Sequence, residues 1–292
     1  MIIRTVRLWF GIKGNKKVGD EEMSLFKMGK VRSIGRLAVT GLLAASLLVL
    51  SGCGASSDAN GDQSAKVLKF GSDIAYAPFE FMEDGTNNPA GFDIELATAV
   101  AEDMGYKAQF ETAAFDGLIA SLQSGTYDAV ISAMTITDKR AEEVLFSDRY
   151  FKATQYIAFK KGASFKSLDD LKGKKIGVQL NTTGQEAVEK AGMETHKYDT
   201  TPDALSDLVN GGVDAVVADS PVVLYFIKQN SNANIEWAPA NTPDEFYGVA
   251  FKKDNTEIAN KFNTSLQKLI DNGKYKEIYK KWFNEDPPSL SK

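Results

Sequence analysis

Three short stretches carry residue types suited to gripping a small zwitterion. The first runs Ser132-Ala133-Met134-Thr135-Ile136-Thr137-Asp138-Lys139-Arg140. Thr135 offers a hydroxyl, and Arg140 a planar fork of donors that matches a carboxylate with two hydrogen bonds. Arginine is scarce in this chain: after Cys53 there are 23 lysines and two arginines, Arg140 and Arg149. Where charge is otherwise supplied by lysine, a guanidinium suggests that fork geometry matters; the competing reading is a surface charge at a helix start. The second stretch, Gln179-Leu180-Asn181-Thr182-Thr183-Gly184-Gln185, is a polar turn leading into a helix. Free N–H groups of a helix start with two threonine hydroxyls suit an anion such as a carboxylate, or Thr182 or Thr183 simply caps the helix. It lacks the Gly-Lys-Ser/Thr ending of a phosphate-binding P-loop, which argues against a nucleotide. The third, Asp219-Ser220-Pro221, offers a carboxylate to an ammonium group, or again a helix cap. Asp73, Tyr76 and Phe115 add a carboxylate and two rings that could sandwich an aliphatic or cationic side chain, with core packing the alternative for Phe115. The single histidine, His196, has no nearby Cys or His, so neither a metal site nor a Ser/His/Asp or Cys/His catalytic set is expected. No cofactor is expected either.

The elements that must position these residues read as alternating strands and helices. Val67 to Ser72 is a strand, and Gly91 to Leu96 opens a helix with Ile94, Ala97, Ala101 and Met104 on one stripe. Tyr106 to Thr112 alternates as a strand, Phe115 to Leu122 is a helix, and Ala129 to Ser132 is a short buried strand running into the helix that begins at Thr137-Asp138. A second unit repeats the grammar. Strands at Lys175 to Gln179, Asp214 to Ala218 and Tyr247 to Lys252 alternate with helices at Gln185 to Lys190, Pro202 to Asn210 and Ser220 to Gln229. Two C-terminal helices follow, around Phe262-Leu266-Ile270 and Tyr275-Ile278-Tyr279-Trp282. This order predicts an α/β fold with parallel sheets, in which strand ends opening into helix starts hold the ligand.

The N-terminus bears on location. Lys30, Arg32 and Arg36 precede an apolar run from Leu37 to Leu50, too short to span a bilayer comfortably, and Leu50-Ser51-Gly52-Cys53 closes it. That pattern reads as a secretory signal over residues 1–52, with Met28 as a start of more ordinary length. Its end resembles a bacterial lipobox, which implies that Cys53, the only cysteine, is lipidated and becomes the first mature residue. Residues 53–65 then read as a flexible tether, and the product as secreted across the cytoplasmic membrane and lipid-anchored to its outer face. The chain after residue 52 holds 25 basic and 36 acidic residues, a formal charge of −11, which argues against nucleic acid and leaves a small solute, cationic ones included, as the partner. A monomer is expected.

Several motifs, in order and over most of the chain from Lys66 to Phe283, resemble those of the polar amino-acid solute-binding proteins of ABC importers (family 3). They are Gly91-Phe92-Asp93-Ile94-Glu95-Leu96, Thr135-Ile136-Thr137-Asp138-Lys139-Arg140, Thr182-Thr183-Gly184, and the run from Lys274 to Phe283. The resemblance implies two α/β lobes of a type II periplasmic-binding-protein-like fold, joined by crossovers near Tyr150 to Thr154 and Pro243 to Tyr247. Lobe 1 would comprise residues 66–152 plus 246–292, and lobe 2 residues 153–245. By position, Arg140 with the N–H groups of Thr135 and Thr183 would hold an α-carboxylate. Asp219 would hold the α-ammonium, assisted by Thr135 Oγ and the Ala133 carbonyl. Tyr76 and Phe115 would flank the ligand side chain and Asp73 would meet its far end, with Ser132, Gln179 and Thr182 completing the set. A membrane permease and its ATPase are the implied partners. Glutamine-binding members place a lysine where this chain has Gln179 and a histidine where it has Ala218. Without that lysine Asp73 has no cationic neighbour, which favours arginine, lysine or histidine as the ligand, with glutamine next. A dehydratase-type enzyme on the same scaffold is the alternative of another class. Glu80 and Glu111 are carboxylates left unplaced that such an enzyme could use, but the committed binding roles of Arg140 and Asp219 weigh towards a protein without catalysis.

Overall fold

The computed structural model describes residues 66–290. The signal, the tether and Cys53 lie outside the described residues. In chain order the elements begin β1 (Lys66–Ser72), β2 (Ala75–Tyr76), β3 (Glu80–Met82), β4 (Pro89–Ala90), α1 (Phe92–Asp103), β5 (Tyr106–Thr112), α2 (Leu118–Gln123), β6 (Ala129–Val130), α3 (Asp138–Glu143), β7 (Leu145–Phe146) and β8 (Phe151–Ala153). There follow β9 (Gln155–Lys160), β10 (Ile176–Gln179), α4 (Thr183–Lys190), β11 (His196–Tyr198), α5 (Thr201–Asn210), β12 (Ala215–Asp219), α6 (Ser220–Gln229) and β13 (Ile235–Pro239). The chain ends with β14 (Glu245–Tyr247), β15 (Ala250–Phe251), α7 (Thr256–Asp271) and α8 (Lys274–Phe283).

Two five-stranded sheets result, ordered β5-β1-β6-β15-β7 and β11-β10-β12-β9-β13. Each has a parallel core, β5-β1-β6 in one and β11-β10-β12 in the other, and is completed by antiparallel strands. The antiparallel strands are those adjoining the crossovers: β9 enters the second sheet beside β12, and β15 re-enters the first beside β6. The crossovers themselves pair, β8 against β14, from Phe151↔Tyr247 to Ala153↔Glu245. The strand expected over Tyr247 to Lys252 is therefore two. Tyr247 belongs to the crossover, and the ladder with β6 resumes at Ala250.

Local chemistry sets the ends of these elements. Thr137, Thr182 and Thr200 cap α3, α4 and α5 through their side chains, each satisfying a backbone N–H that the first turn leaves without a partner. Gly91 starts α1 at φ 130, and a Cβ there would lie 2.0 Å from the carbonyl oxygen of Phe79, so the close approach of β3 to the helix start requires glycine. The larger core packs Phe70, Phe79, Phe92, Phe151, Phe251 and Phe262, all within 2% of complete burial, and each contributes about 1.5–3 kcal/mol. α8 closes this core with Tyr275, Ile278 and Tyr279, while Trp282 donates to Glu95 of α1. The Lys274–Phe283 motif is thus a packing element. In the second sheet, Ile157, Ile176, Val178 and Val217 face one side, and Ala158, Val216, Leu205 and Leu208 pack on the other.

Candidate ligand-binding cleft

Four residues singled out in the sequence stand at or just beyond the carboxyl ends of parallel strands. Asp73 follows β1, Ser132 lies two residues past β6, Gln179 ends β10 and Asp219 ends β12. Carboxyl ends are where an open α/β sheet leaves a crevice, and the two sheets turn theirs towards one shared space. A small cavity is lined there by Asp73, Tyr76, Phe115, Ser132, Ala133, Thr135 and Arg140 on one side, and by Gln179, Thr182, Thr183 and Asp219 on the other. The structure brings all eleven candidate residues together.

Arg140 is 92% removed from solvent, and its guanidinium spans the cleft. Nη1 donates to the carbonyl of Thr135 (2.8 Å) and Nη2 to that of Asn181 (2.9 Å), while the ring of Phe115 lies 5.2 Å from the guanidinium carbon. Among the described residues it forms no ion pair. Burial lowers its pKa from the usual value, opposed by the negative charges of Glu186, Asp219 and Glu245. A surface charge is ruled out by this burial.

Asp219 occupies the position before α6, yet its carboxylate makes no capping bond. It accepts instead from Gln155 Nε2 and from the hydroxyl of Tyr247. Burial pushes its pKa up to about 7, with repulsion from Glu245 adding to the rise and the hydrogen bonds opposing it. Asp73 accepts from Gln179 Nε2 (2.7 Å), whose Oε1 is fixed by the hydroxyl of Thr201. Its pKa is pushed up to about 6 by burial, which the Gln179 bond only partly offsets. The backbone N–H of Asp73 donates to Ser132 Oγ, tying the two strand ends together.

The alternatives left open divide. Thr182 is a helix cap and also a cavity wall: its hydroxyl accepts from Gln185 N–H and donates to the Gln179 carbonyl. Thr183 is the first residue of α4, and its hydroxyl donates to Glu245. Phe115 both packs against a core cluster and faces the cavity.

Sequence reasoning missed the residues of the crossovers. Glu245 Oε2 accepts from Thr135 Oγ1 and Thr183 Oγ1, both at 2.7 Å, and Oε1 accepts from Gln155 Nε2 at 3.1 Å. It therefore ties a threonine from each side of the cleft to the paired crossovers. Gln155 and Tyr247, the Asp219 partners, also stand at these crossovers. The signal available was positional: polar residues at the ends of the paired crossovers must face the space that the lobes share. The loop at Thr135 is zipped to β14, Ile136 N–H donating to the carbonyl of Phe246 at 2.8 Å.

The sequence profile of the bacterial extracellular solute-binding proteins, family 3, matches residues 68–285. The chain belongs to this family. Its fold is the two-lobed α/β architecture of type II periplasmic binding proteins. A solved structure of the arginine-, lysine-, histidine-binding protein ArtJ from Geobacillus stearothermophilus aligns at a TM-score of 0.72 with 44% identity, covering 76% of this chain and 97% of that one. A probable histidine-binding protein of Neisseria gonorrhoeae is 34% identical over 265 residues, 87% of this chain and 98% of its own length. The ABC transporter glutamine-binding protein GlnH of Bacillus subtilis (strain 168) is 35% identical over 273 residues, 88% of this chain and 99% of its own length. In this solute-binding protein, two carboxylates (Asp73 and Asp219) and one guanidinium line the cleft, and a third carboxylate, Glu245, stands behind its threonines, a balance that favours a ligand with net positive charge.

Proposed function

We propose that this solute-binding protein is the extracytoplasmic component of an ABC importer, capturing an L-amino acid with a cationic side chain and passing it to a permease and its ATPase. The supporting observation is the cleft's charge pattern: a buried arginine without an ion-pair partner among the described residues, set against two lining carboxylates, Asp73 and Asp219, with Glu245 behind them. Arg140 with the N–H groups of Thr135 and Thr183 holds the α-carboxylate, in a site where a charge-assisted pair is stronger than in water. Asp219 takes the α-ammonium, with Thr135 Oγ and the Ala133 carbonyl, and Glu245 adds a second negative charge beside it. Tyr76 and Phe115 flank the ligand's side chain, and Asp73 meets its cation. Ser132, Gln179 and Thr182 hold these groups in place. No step of covalent chemistry is assigned to any of them.

Lobe 1, residues 66–152 plus 246–292, and lobe 2, residues 153–245, close by a hinge at the paired crossovers, and a ligand touching both favours the closed state. The protein acts as a monomer, exported by its N-terminal signal and held at the outer face of the cytoplasmic membrane through lipidated Cys53. A thermal-shift panel of the twenty amino acids on the chain from Lys66 onward tests the reading, because a ligand that binds only the native state raises Tm by mass action. Arginine, lysine and histidine should give the largest rises. A rise with glutamine alone would keep the importer role and overturn the cationic preference; no rise with any amino acid would remove the role itself.

A further inference from the structure

Behind the cleft, on the far side of the Ser132–Ala133 turn, two carboxyl groups are sealed in the core. Glu80, on β3, and Asp93, in the first turn of α1, are both 0% exposed. Glu80 Oε1 accepts from the hydroxyl of Ser132 at 3.1 Å. Asp93 Oδ2 accepts from Ala133 N–H at 2.8 Å and from the Tyr150 hydroxyl at 2.7 Å. The remaining oxygens, Glu80 Oε2 and Asp93 Oδ1, find no donor among the described residues. The backbone sets the two acids side by side: Asp93 N–H donates to the carbonyl of Phe79, the residue before Glu80, and the cleft-side partners Ser132 and Ala133 are consecutive, so the two orphaned oxygens share one small, dry space. Two carboxylates cannot share that space, because neither has a hydrogen to give and their charges repel. One proton between them removes both problems.

We propose that Glu80 carries this proton at neutral pH and donates it to Asp93, and that the resulting acid–carboxylate pair is a positioning device for the cleft. Every polar atom of the pair then has a partner. Asp93 is the better anion: it receives two protein donors, and it lies in the first turn of α1, where the helix dipole favours negative charge. Glu80 receives only the Ser132 hydroxyl. The titratable groups facing the pair are Asp73 from the end of β1, Tyr76 of β2, Tyr150 before β8 and Tyr275 of α8. They include an acid and three phenols and no cation, and burial raises the Glu80 carboxyl well above its usual range.

The pair's reach into the cleft is direct. Ala133 is held at φ 44, a left-handed conformation uncommon for a residue with a Cβ, and its N–H is the one fixed by Asp93. The Ser132 hydroxyl that donates to Glu80 accepts from the N–H of Asp73. One buried proton thus orients both the turn that leads to Thr135 and the backbone that carries Asp73.

Glu80→Gln tests this, since its amide N–H copies the donated proton and its carbonyl copies the Ser132 acceptor. The measurement is Tm and chemical-denaturation stability of the purified protein from about pH 8 to 9, a unit or more above the values of about 6 and about 7 where Asp73 and Asp219 titrate and below that of unfolded tyrosine. A group protonated in the folded state and ionised in the unfolded state makes stability fall as pH rises, by about tenfold in the unfolding equilibrium per pH unit. The wild type should show that slope. Glu80→Gln should flatten it and melt at or above the wild type by about pH 9, whereas Glu80→Ala should melt lower. Asp93→Asn should be the more damaging amide, by about 10 °C, because it leaves the anion on Glu80. A Glu80→Gln protein that keeps the wild-type slope, or melts as low as Glu80→Ala, overturns the shared proton. Asp93→Asn tolerated better than Glu80→Gln overturns its assignment to Glu80. Should Asp93→Asn fail to fold, the Glu80→Gln profile decides alone. No ligand enters this test, so its outcome is independent of the importer reading.

Discussion

Two sets of buried carboxyls stand on opposite sides of the Ser132–Ala133 turn, and they are balanced differently. Glu80 and Asp93 are closed in by protein donors, the Ser132 hydroxyl, the Ala133 N–H and the Tyr150 hydroxyl. Asp73 and Asp219 face the cavity, and their donors are neutral: Gln179 for the first, Gln155 and Tyr247 for the second. Burial raises all four. The difference lies in what can restore the balance. The rear pair can settle it internally with one proton, while the cleft pair stays short of positive charge that an incoming molecule can supply. A structural acid and a ligand-gripping acid can therefore look alike in burial and pKa direction, and differ in which space they face.

The sharpest way to break that contrast is to remove the cleft's own cation. Arg140→Met should weaken binding of every amino acid by about 10²–10³-fold, since truncating one partner of a buried charge pair costs roughly 2–5 kcal/mol. Titration calorimetry with arginine reads the loss. Arg140→Lys should recover only part of it, because an ammonium cannot reproduce the fork. Next in size is Asp219→Asn, expected to cost about 10–100-fold for all amino acids alike. The same substitution leaves no carboxyl to be protonated, so it should cost apo stability far less than affinity. A loss confined to cationic ligands would instead place Asp219 at the side chain.

Strand ends were the most legible feature of the sequence. Apolar runs ending in Asp73, Ser132, Gln179 and Asp219 place polar groups where an α/β crevice forms, and the structure puts all four on one cavity. The balance between capping and lining was not legible, because Thr182 does both and Asp219 takes the cap position without the cap bond. The crossover residues were hidden for a different reason. Glu245 and Gln155 face the cleft only because β8 and β14 pair across more than ninety positions of chain, and short local patterns carry no trace of such pairing. The mixed character of the sheets has the same origin, since β9 and β15 run antiparallel as the chain leaves and re-enters through those crossovers.

A smaller effect distinguishes the two cleft acids from each other. Asp73→Asn should reduce the preference for arginine over glutamine by about tenfold while leaving glutamine nearly unchanged, as expected for one lost charge pair at the far end of the ligand. An unchanged preference would sink the role given to Asp73. The pH dependence follows with opposite signs for the empty and occupied protein. Folded-state pKa values of about 6 for Asp73 and about 7 for Asp219 lie above the ordinary 3.8. Their contribution to apo stability is present below the ordinary value and is lost as pH rises through 6 to 7. A cationic ligand prefers the ionised acids, so its Tm increment should grow over the same interval while apo Tm falls. An increment that shrinks with rising pH would contradict the charge pattern.

The smallest effect tests whether a cavity wall need be a ligand contact. The Thr182 hydroxyl is already engaged twice, accepting from Gln185 N–H and donating to the Gln179 carbonyl. Thr182→Ala removes a cap, and should cost about 1 kcal/mol, or about 2–4 °C in Tm for a domain of this size. Affinity should change by less than about threefold, since the ligand loses no donor that was free to serve it. Thr183 differs by one position and one partner: its hydroxyl is tied to Glu245, and its N–H is the one proposed to serve the ligand. If Thr182→Ala lowered affinity beyond its effect on stability, the hydroxyl would have to leave its cap when the ligand arrives. The N-terminus of α4 would then be a moving part of the grip rather than a fixed wall.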